Sequence, residues 1–191
     1  MNREKIKQIE EIVKKACYEN KFFSEKEFQW RHTDFVRNFS VKLAKKLKAD
    51  VELCEVAALL HDIGRMRYGP DDHEITSAKD TDKILHELGY NEEFIKKASR
   101  AVLTHRGSTK PDPVTIEEKI VACADAMSHF EDAAMLFAIM NREAKEHKKT
   151  APELIEIFSS KLDRAWVKVC RIPEAQKMLK KKREALKLIF G

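Results

Sequence analysis

An apolar run, Ala57-Ala58-Leu59-Leu60, ends in the ionisable pair His61-Asp62, followed by Ile63-Gly64. Such a pair closing an apolar stretch is costly unless something there uses both side chains. A neutral imidazole and a carboxylate are ligands for a divalent cation, and water on such a cation becomes a nucleophile near neutral pH. His32 stands upstream, and His73, His105 and Asp125 follow downstream. Asp125 closes a second apolar run, Ile120-Val121-Ala122-Cys123-Ala124, where a lone carboxylate is unfavourable without a charged partner. A divalent cation would supply that partner. Four of the 7 histidines, with Asp62 and Asp125, thus fall at the ends or buried faces of successive predicted helices. The other three, His86, His129 and His147, read as structural or solvated, although His129 lies four residues after Asp125 on the same predicted helix face.

The order His32, His61-Asp62, His73, His105, Asp125 resembles that of the HD superfamily of metal-dependent phosphohydrolases, from about Arg31 to about Phe130. The resemblance implies that His32, His61, Asp62 and Asp125 ligate one divalent ion. In two-metal members later histidines hold a second ion and the aspartate of the pair bridges both, which implies roles for His73, His105 and Asp62. Mn, Fe, Co, Ni, Zn and Mg all suit such a ligand set. The tetrapeptide His61-Asp62-Ile63-Gly64 also resembles the branch that hydrolyses cyclic dinucleotides. That branch carries a further His-His-Glu and Gly-Tyr-Pro motif, where this chain reads His105-Arg106-Gly107-Ser108-Thr109-Lys110-Pro111, which argues against cyclic di-GMP.

The chemistry implied is hydrolysis of a phosphate ester on a nucleotide-like or other small phosphorylated metabolite. Asp62 would orient or deprotonate the nucleophilic water. Arg65, directly after the tetrapeptide, is the first choice for gripping a phosphate oxygen, with Arg106 and Lys110 behind it. Two alternatives stay open. The same ligands hold a di-iron pair in superfamily members that oxygenate organic substrates. A non-catalytic sensor could instead use the basic stretch Lys177–Lys187 to dock on an acidic partner or nucleic acid, a lesser expectation than a surface helix.

These residues need helices to bring them together. Among 191 residues only 5 are Gly and 5 Pro, and no stretch sustains a two-residue alternation, so the chain reads as all-α. Its length fits one domain, 1–191, with a helical-bundle core over about 28–148 and C-terminal helices over about 152–190. Helical spacing predicts a first helix over 3–19. Ser24-x-x-Glu27 reads as a capping box opening a short helix before a longer one over 32–47. Asp50 caps a buried helix over 51–63 that Gly64 ends, leaving Arg65–Pro70 as a cationic loop. Further helices are expected over 73–88, 92–104, 116 to about 146, 152–170 and 173–190, with a loop over 106–114.

A net charge of +5 suits phosphorylated ligands and is too diffuse to demand nucleic acid. No apolar run approaches the ~20 residues that span a bilayer. No apolar segment marks the N-terminus for secretion. The four cysteines form no C-x-x-C pair, and Cys54 and Cys123 sit among aliphatic residues, as buried thiols in a reducing compartment do. A cytoplasmic setting is expected. The sequence carries no signal for oligomeric state.

Overall fold

Local capping sets most helix starts. Asn2, Asp50, Asn91 and Asp132 each accept, through a side-chain oxygen, the backbone N–H three residues on. They open α1 (Arg3–Glu19), α3 (Val51–Leu60), α6 (Glu92–Leu103) and α8 (Ala133–Glu146). The remaining helices are α2 (Lys26–Leu47), α4 (Ile63–Tyr68), α5 (His73–Glu87), α7 (Ile116–Ser128), α9 (Ala151–Val169) and α10 (Pro173–Phe190). This computed structural model describes residues 2–106 and 111–190, apart from the side chains at 133 and 190. All regular structure among the described residues is α-helical, and the fold is all-α.

Three boundaries differ from those expected. The segments around Trp30 and His32 form one helix, α2, with Glu25 at its N-cap and no side-chain cap. Ser24 meets Lys26 N–H through its carbonyl instead of its hydroxyl. No Gly or Pro interrupts 26–47, so once nucleated the helix propagates through both segments. The long helix expected over 116–146 breaks after Ser128, and Asp132 caps a fresh start at α8. Gly64 does not end α3. The break falls at Asp62, with φ −109 and ψ 13, and Gly64 lies in the first turn of α4. Arg65–Tyr68 is therefore helical, and Gly69, at φ 103, closes that turn.

Gly64 is where it is because α5 passes very close. Its N–H donates to Ser77 Oγ at 2.9 Å. An added Cβ would lie 2.3 Å from Thr76 Oγ1 and 2.4 Å from Ser77 N.

Contacts divide the chain into two compact units, Met1–Asp125 and Ala126–Gly191. In the first, Ile6, Ile9, Val13 and Cys17 of α1 share a core with α3, α5 and α6, so α1 joins the core that the sequence starts near residue 28. Helix α3 is buried along its length from Leu53 to Leu60, Glu55 included. The Glu55 carboxylate is met by Arg37 Nε and Nη2 at 2.9 and 2.6 Å, while Arg37 Nη1 reaches Glu10 at 2.9 Å. In the second unit Phe130 meets Trp166 edge-on, and Arg183 covers the other ring at 4.8 Å. Lys182 pairs with Glu131 and Arg183 with Asp163, so part of the basic stretch is used within that unit. Among the described residues no helix is long and apolar enough to cross a membrane.

Candidate metal centre

The first unit brings His32, His61, Asp62, His73, His105 and Asp125 to one place. His32 comes from α2 and His61 from the end of α3. Asp62 occupies the α3–α4 break, His73 begins α5, His105 follows α6, and Asp125 lies in α7. All but Asp125 are buried.

The carboxylate of Asp62 is the pivot. Its Oδ2 lies 3.8 Å from His32 Nε2 and 3.6 Å from His61 Nε2, and those two nitrogens are 3.1 Å apart. Its Oδ1 faces the other way, 3.3 Å from His73 Nε2 and 3.6 Å from His105 Nε2. Asp125 joins through His32, with Oδ1 at 3.5 Å from Nε2. Two groups that could hold a cation result, His32/His61/Asp62 and Asp62/His73/His105, and Asp62 belongs to both.

Three of the imidazoles are oriented by the same local device. His61 Nδ1 meets the Ala58 carbonyl at 2.8 Å, His73 Nδ1 that of Pro70 at 2.8 Å, and His105 Nδ1 that of Val102 at 2.6 Å. Each partner is three residues back. At the ends of α3 and α6 these carbonyls are released by the stopping helix. At His73 the chain turns through Asp72, which adopts a left-handed φ of 45. Donating Nδ1–H leaves Nε2 as the lone-pair nitrogen of the neutral ring.

The donor set fits a divalent cation. Neutral Nε2 atoms and ionised carboxylates are all acceptors, and here they converge in a buried space. Such a set is held together by shared protons or by a cation. Separations of 3.1–3.8 Å match donors sharing one ion at roughly 2.0–2.2 Å. Burial pushes His32 down to about 4, helped by His61 and opposed by Asp125 and Asp62. Burial likewise lowers His73 against the pull of Asp62. Burial would raise Asp62, but His61, His105, Arg65 and His73 outweigh it and hold the carboxyl well below the usual range. His105 moves up, because the Asp62 carboxylate overcomes its desolvation.

Arg65 stands beside the pivot, Nη1 at 3.8 Å from Asp62 Oδ2. Its guanidinium carbon lies 4.7 Å from the Phe23 ring centre, and its Nε is buried with no hydrogen-bond acceptor among the described residues. Arg106 donates to the buried Glu74 at 3.0 Å. Lys110 lies outside the described residues. His86 and His147 are exposed and pair with surface carboxylates, and His129 follows the end of α7. Sequence reasoning missed Phe23, Glu74, the Arg37–Glu55 pair and the three carbonyls. Only Glu55 left a sequence signal, a carboxylate inside an otherwise apolar run.

A 30% identical relative over 164 residues, an uncharacterized protein of Methanocaldococcus jannaschii, is matched across 77% of this chain and 89% of its own length. A tRNA (cytidine(56)-2'-O)-methyltransferase of Thermoplasma volcanium is 31% identical over 134 residues, and this chain spans only 38% of its length. Bacillus subtilis YpgQ shares the fold at a TM-score of 0.72 and 20% identity, over 98% of this chain and 92% of that one. YpgQ has also been solved in complex with ADP, a form that matches at a TM-score of 0.68 and 21% identity. A predicted HD superfamily hydrolase from an uncultured Thermotogales bacterium matches at 0.59 and 23% identity, over 92% and 91% of the two chains. The HD domain family model matches residues 30–130, the span that carries every one of the converging histidines and aspartates, and the chain belongs to that family.

Proposed function

We propose that the protein is a phosphohydrolase that uses one or two divalent cations to cleave a phosphate ester of a nucleotide or other small phosphorylated metabolite. The observation that carries this reading is the two-sided use of Asp62, Oδ2 toward one histidine pair and Oδ1 toward the other. The hydrolase name of the Thermotogales structure supports the reaction class, and ADP on YpgQ supports a nucleotide-like ligand. His32, His61, Asp62 and Asp125 would hold one cation, and Asp62, His73 and His105 a second. A cation held there lowers the pKa of its bound water and neutralises charge on the phosphoryl oxygens.

The side chains supply the rest. Asp62, ionised and acceptor-only, receives a hydrogen bond from the attacking water and fixes its direction. The Nδ1 locks keep the three imidazoles facing Asp62 throughout. Arg65 donates to a phosphoryl oxygen from beside Asp62. Arg106 stands second, because Glu74 already engages it, and Lys110 keeps its assignment as a third phosphate contact. The buried free thiols of Cys17 and Cys54 suit a reducing cytoplasm.

The test begins with protein purified without an affinity tag, stripped of metal, reloaded with manganese and counted by mass spectrometry. One or two ions per chain are expected, and Asp62→Ala should lower the count more than His32→Ala or His105→Ala. An anaerobic panel of phosphomonoesters, phosphodiesters and nucleotides should then release phosphate or nucleoside, and Asp62→Asn should abolish turnover without loss of helicity. A protein that takes up no divalent ion, or an Asp62→Asn variant with full activity, would overturn the reading. Oxygen uptake by the iron-loaded protein in place of phosphate release would move it to the oxygenase class.

A further inference from the structure

The turn between α1 and α2 runs alongside Arg65. Asn20, itself buried, organises it: Nδ2 donates to the Cys17 carbonyl, and Oδ1 accepts the N–H groups of Phe22 and Phe23 at 3.2 and 2.8 Å. This fixes the backbone at Phe23, whose half-buried ring lies 4.7 Å from the guanidinium carbon of Arg65. Arg65 hangs from α4, a helix of only 6 residues that starts at the Asp62 break. Ring stacking occupies a face of the guanidinium plane, whereas its N–H donors point outward within that plane. The guanidinium carbon over the ring therefore restrains Arg65 without using a donor. One donor, Nε–H, is buried and unmatched by any acceptor among the described residues. That buried donor is closed to a phosphate oxygen, but the Arg65 side chain is 34% exposed with Nη1 at 3.8 Å from Asp62 Oδ2, so its terminal N–H groups are the donors an anion beside Asp62 can reach.

We propose that Phe23 is the positioning residue for the substrate's phosphoryl group, holding the Arg65 guanidinium so that its terminal N–H groups form a two-pronged grip on one phosphate. This rests on the phosphohydrolase reading, since it concerns the same site. The role is distinct from simple packing. Any apolar side chain of similar size could cover α1 and α4, but only an aromatic ring offers a flat, electron-rich face to a cation.

The test uses the full chain loaded with manganese and inorganic phosphate as the probe, with affinity measured by calorimetry and metal content and urea midpoint recorded for every variant. Phe23→Leu should weaken phosphate binding about three- to thirtyfold with metal content unchanged. Phe23→Tyr should stay within about twofold of the parent. Arg65→Lys, which keeps the charge and loses the fork, should weaken binding at least as much as Phe23→Leu, and the double variant should be no weaker than Arg65→Lys. Unchanged affinity in Phe23→Leu, an equal loss in Phe23→Tyr, or losses that multiply in the double variant would each overturn the proposal. If the parent itself, metal-loaded, binds no phosphate, the phosphohydrolase reading falls and this proposal with it.

Discussion

Replacing Gly64 by alanine should damage both the fold and the metal centre. The new methyl would sit 2.3 Å from Thr76 Oγ1, 2.4 Å from Ser77 N and 2.7 Å from Thr76 C, where ordinary contact begins at 3.4 Å. The Thr76 hydroxyl can rotate away, but the two backbone atoms cannot. Helices α4 and α5 must therefore separate by about 1 Å, the shortfall that remains at Ser77 N. Overpacking of this kind costs roughly 1–3 kcal/mol. The separation also breaks the 2.9 Å bond from Gly64 N–H to Ser77 Oγ, leaving a buried donor unpaired for roughly another 1–3 kcal/mol. The sum, about 2–6 kcal/mol, is a large part of the roughly 5–15 kcal/mol that holds a domain folded. The same movement would open the 3.3 Å gap between Asp62, just before α4, and His73, at the start of α5. Urea unfolding and manganese stoichiometry measure the two effects, with Ser77→Ala as the control that removes the hydrogen bond alone. A Gly64→Ala protein with parental midpoint and full metal content would refute the close-packing argument.

Arg37→Ala should cost roughly 3 kcal/mol in urea unfolding, because it strips the buried Glu55 carboxylate of its closest partner; Arg37→Met with Glu55→Gln should recover part of that loss. A thiol reagent at pH 8 should modify Cys170 quickly and Cys17 only on denaturation, since Cys170 is exposed and burial drives the Cys17 thiol up to about 12. Glu10 is held below its usual value of 4.5, chiefly by Lys14 and also by Arg37. Its folded-state pKa is depressed, so its contribution is complete above that usual value and fades as the pH falls below it. Being partly exposed, the pair is worth under about 1 kcal/mol, and parent and Glu10→Gln midpoints should differ at pH 7 and converge toward pH 3.

His61-Asp62 and Asp125 were legible because each is costly where it stands, whereas His32, His73 and His105 were placed by the family resemblance. His61-Asp62 and Asp125 close apolar runs, and their chemistry asks for a cation. The helix start marked by Asp50 was legible too, because a cap acts within four residues. Gly64 was misread because a glycine after an apolar helix normally ends it, whereas its real constraint is the backbone of Ser77, thirteen residues away. The α7–α8 break was hidden for a related reason: Asp132 caps a new helix inside a segment whose apolar spacing continues across it. Phe23 and Arg65 meet only through tertiary packing, which no spacing rule reaches.

The carbonyl locks on His61, His73 and His105 each span only four consecutive residues of the chain. Ring tautomer is thus inherited from the local backbone and owes nothing to how one helix leans on the next. A breathing motion that parts the helices would scatter the cluster yet leave those three rings correctly set. On closing, the centre could capture an ion with no ring to turn at those three positions first.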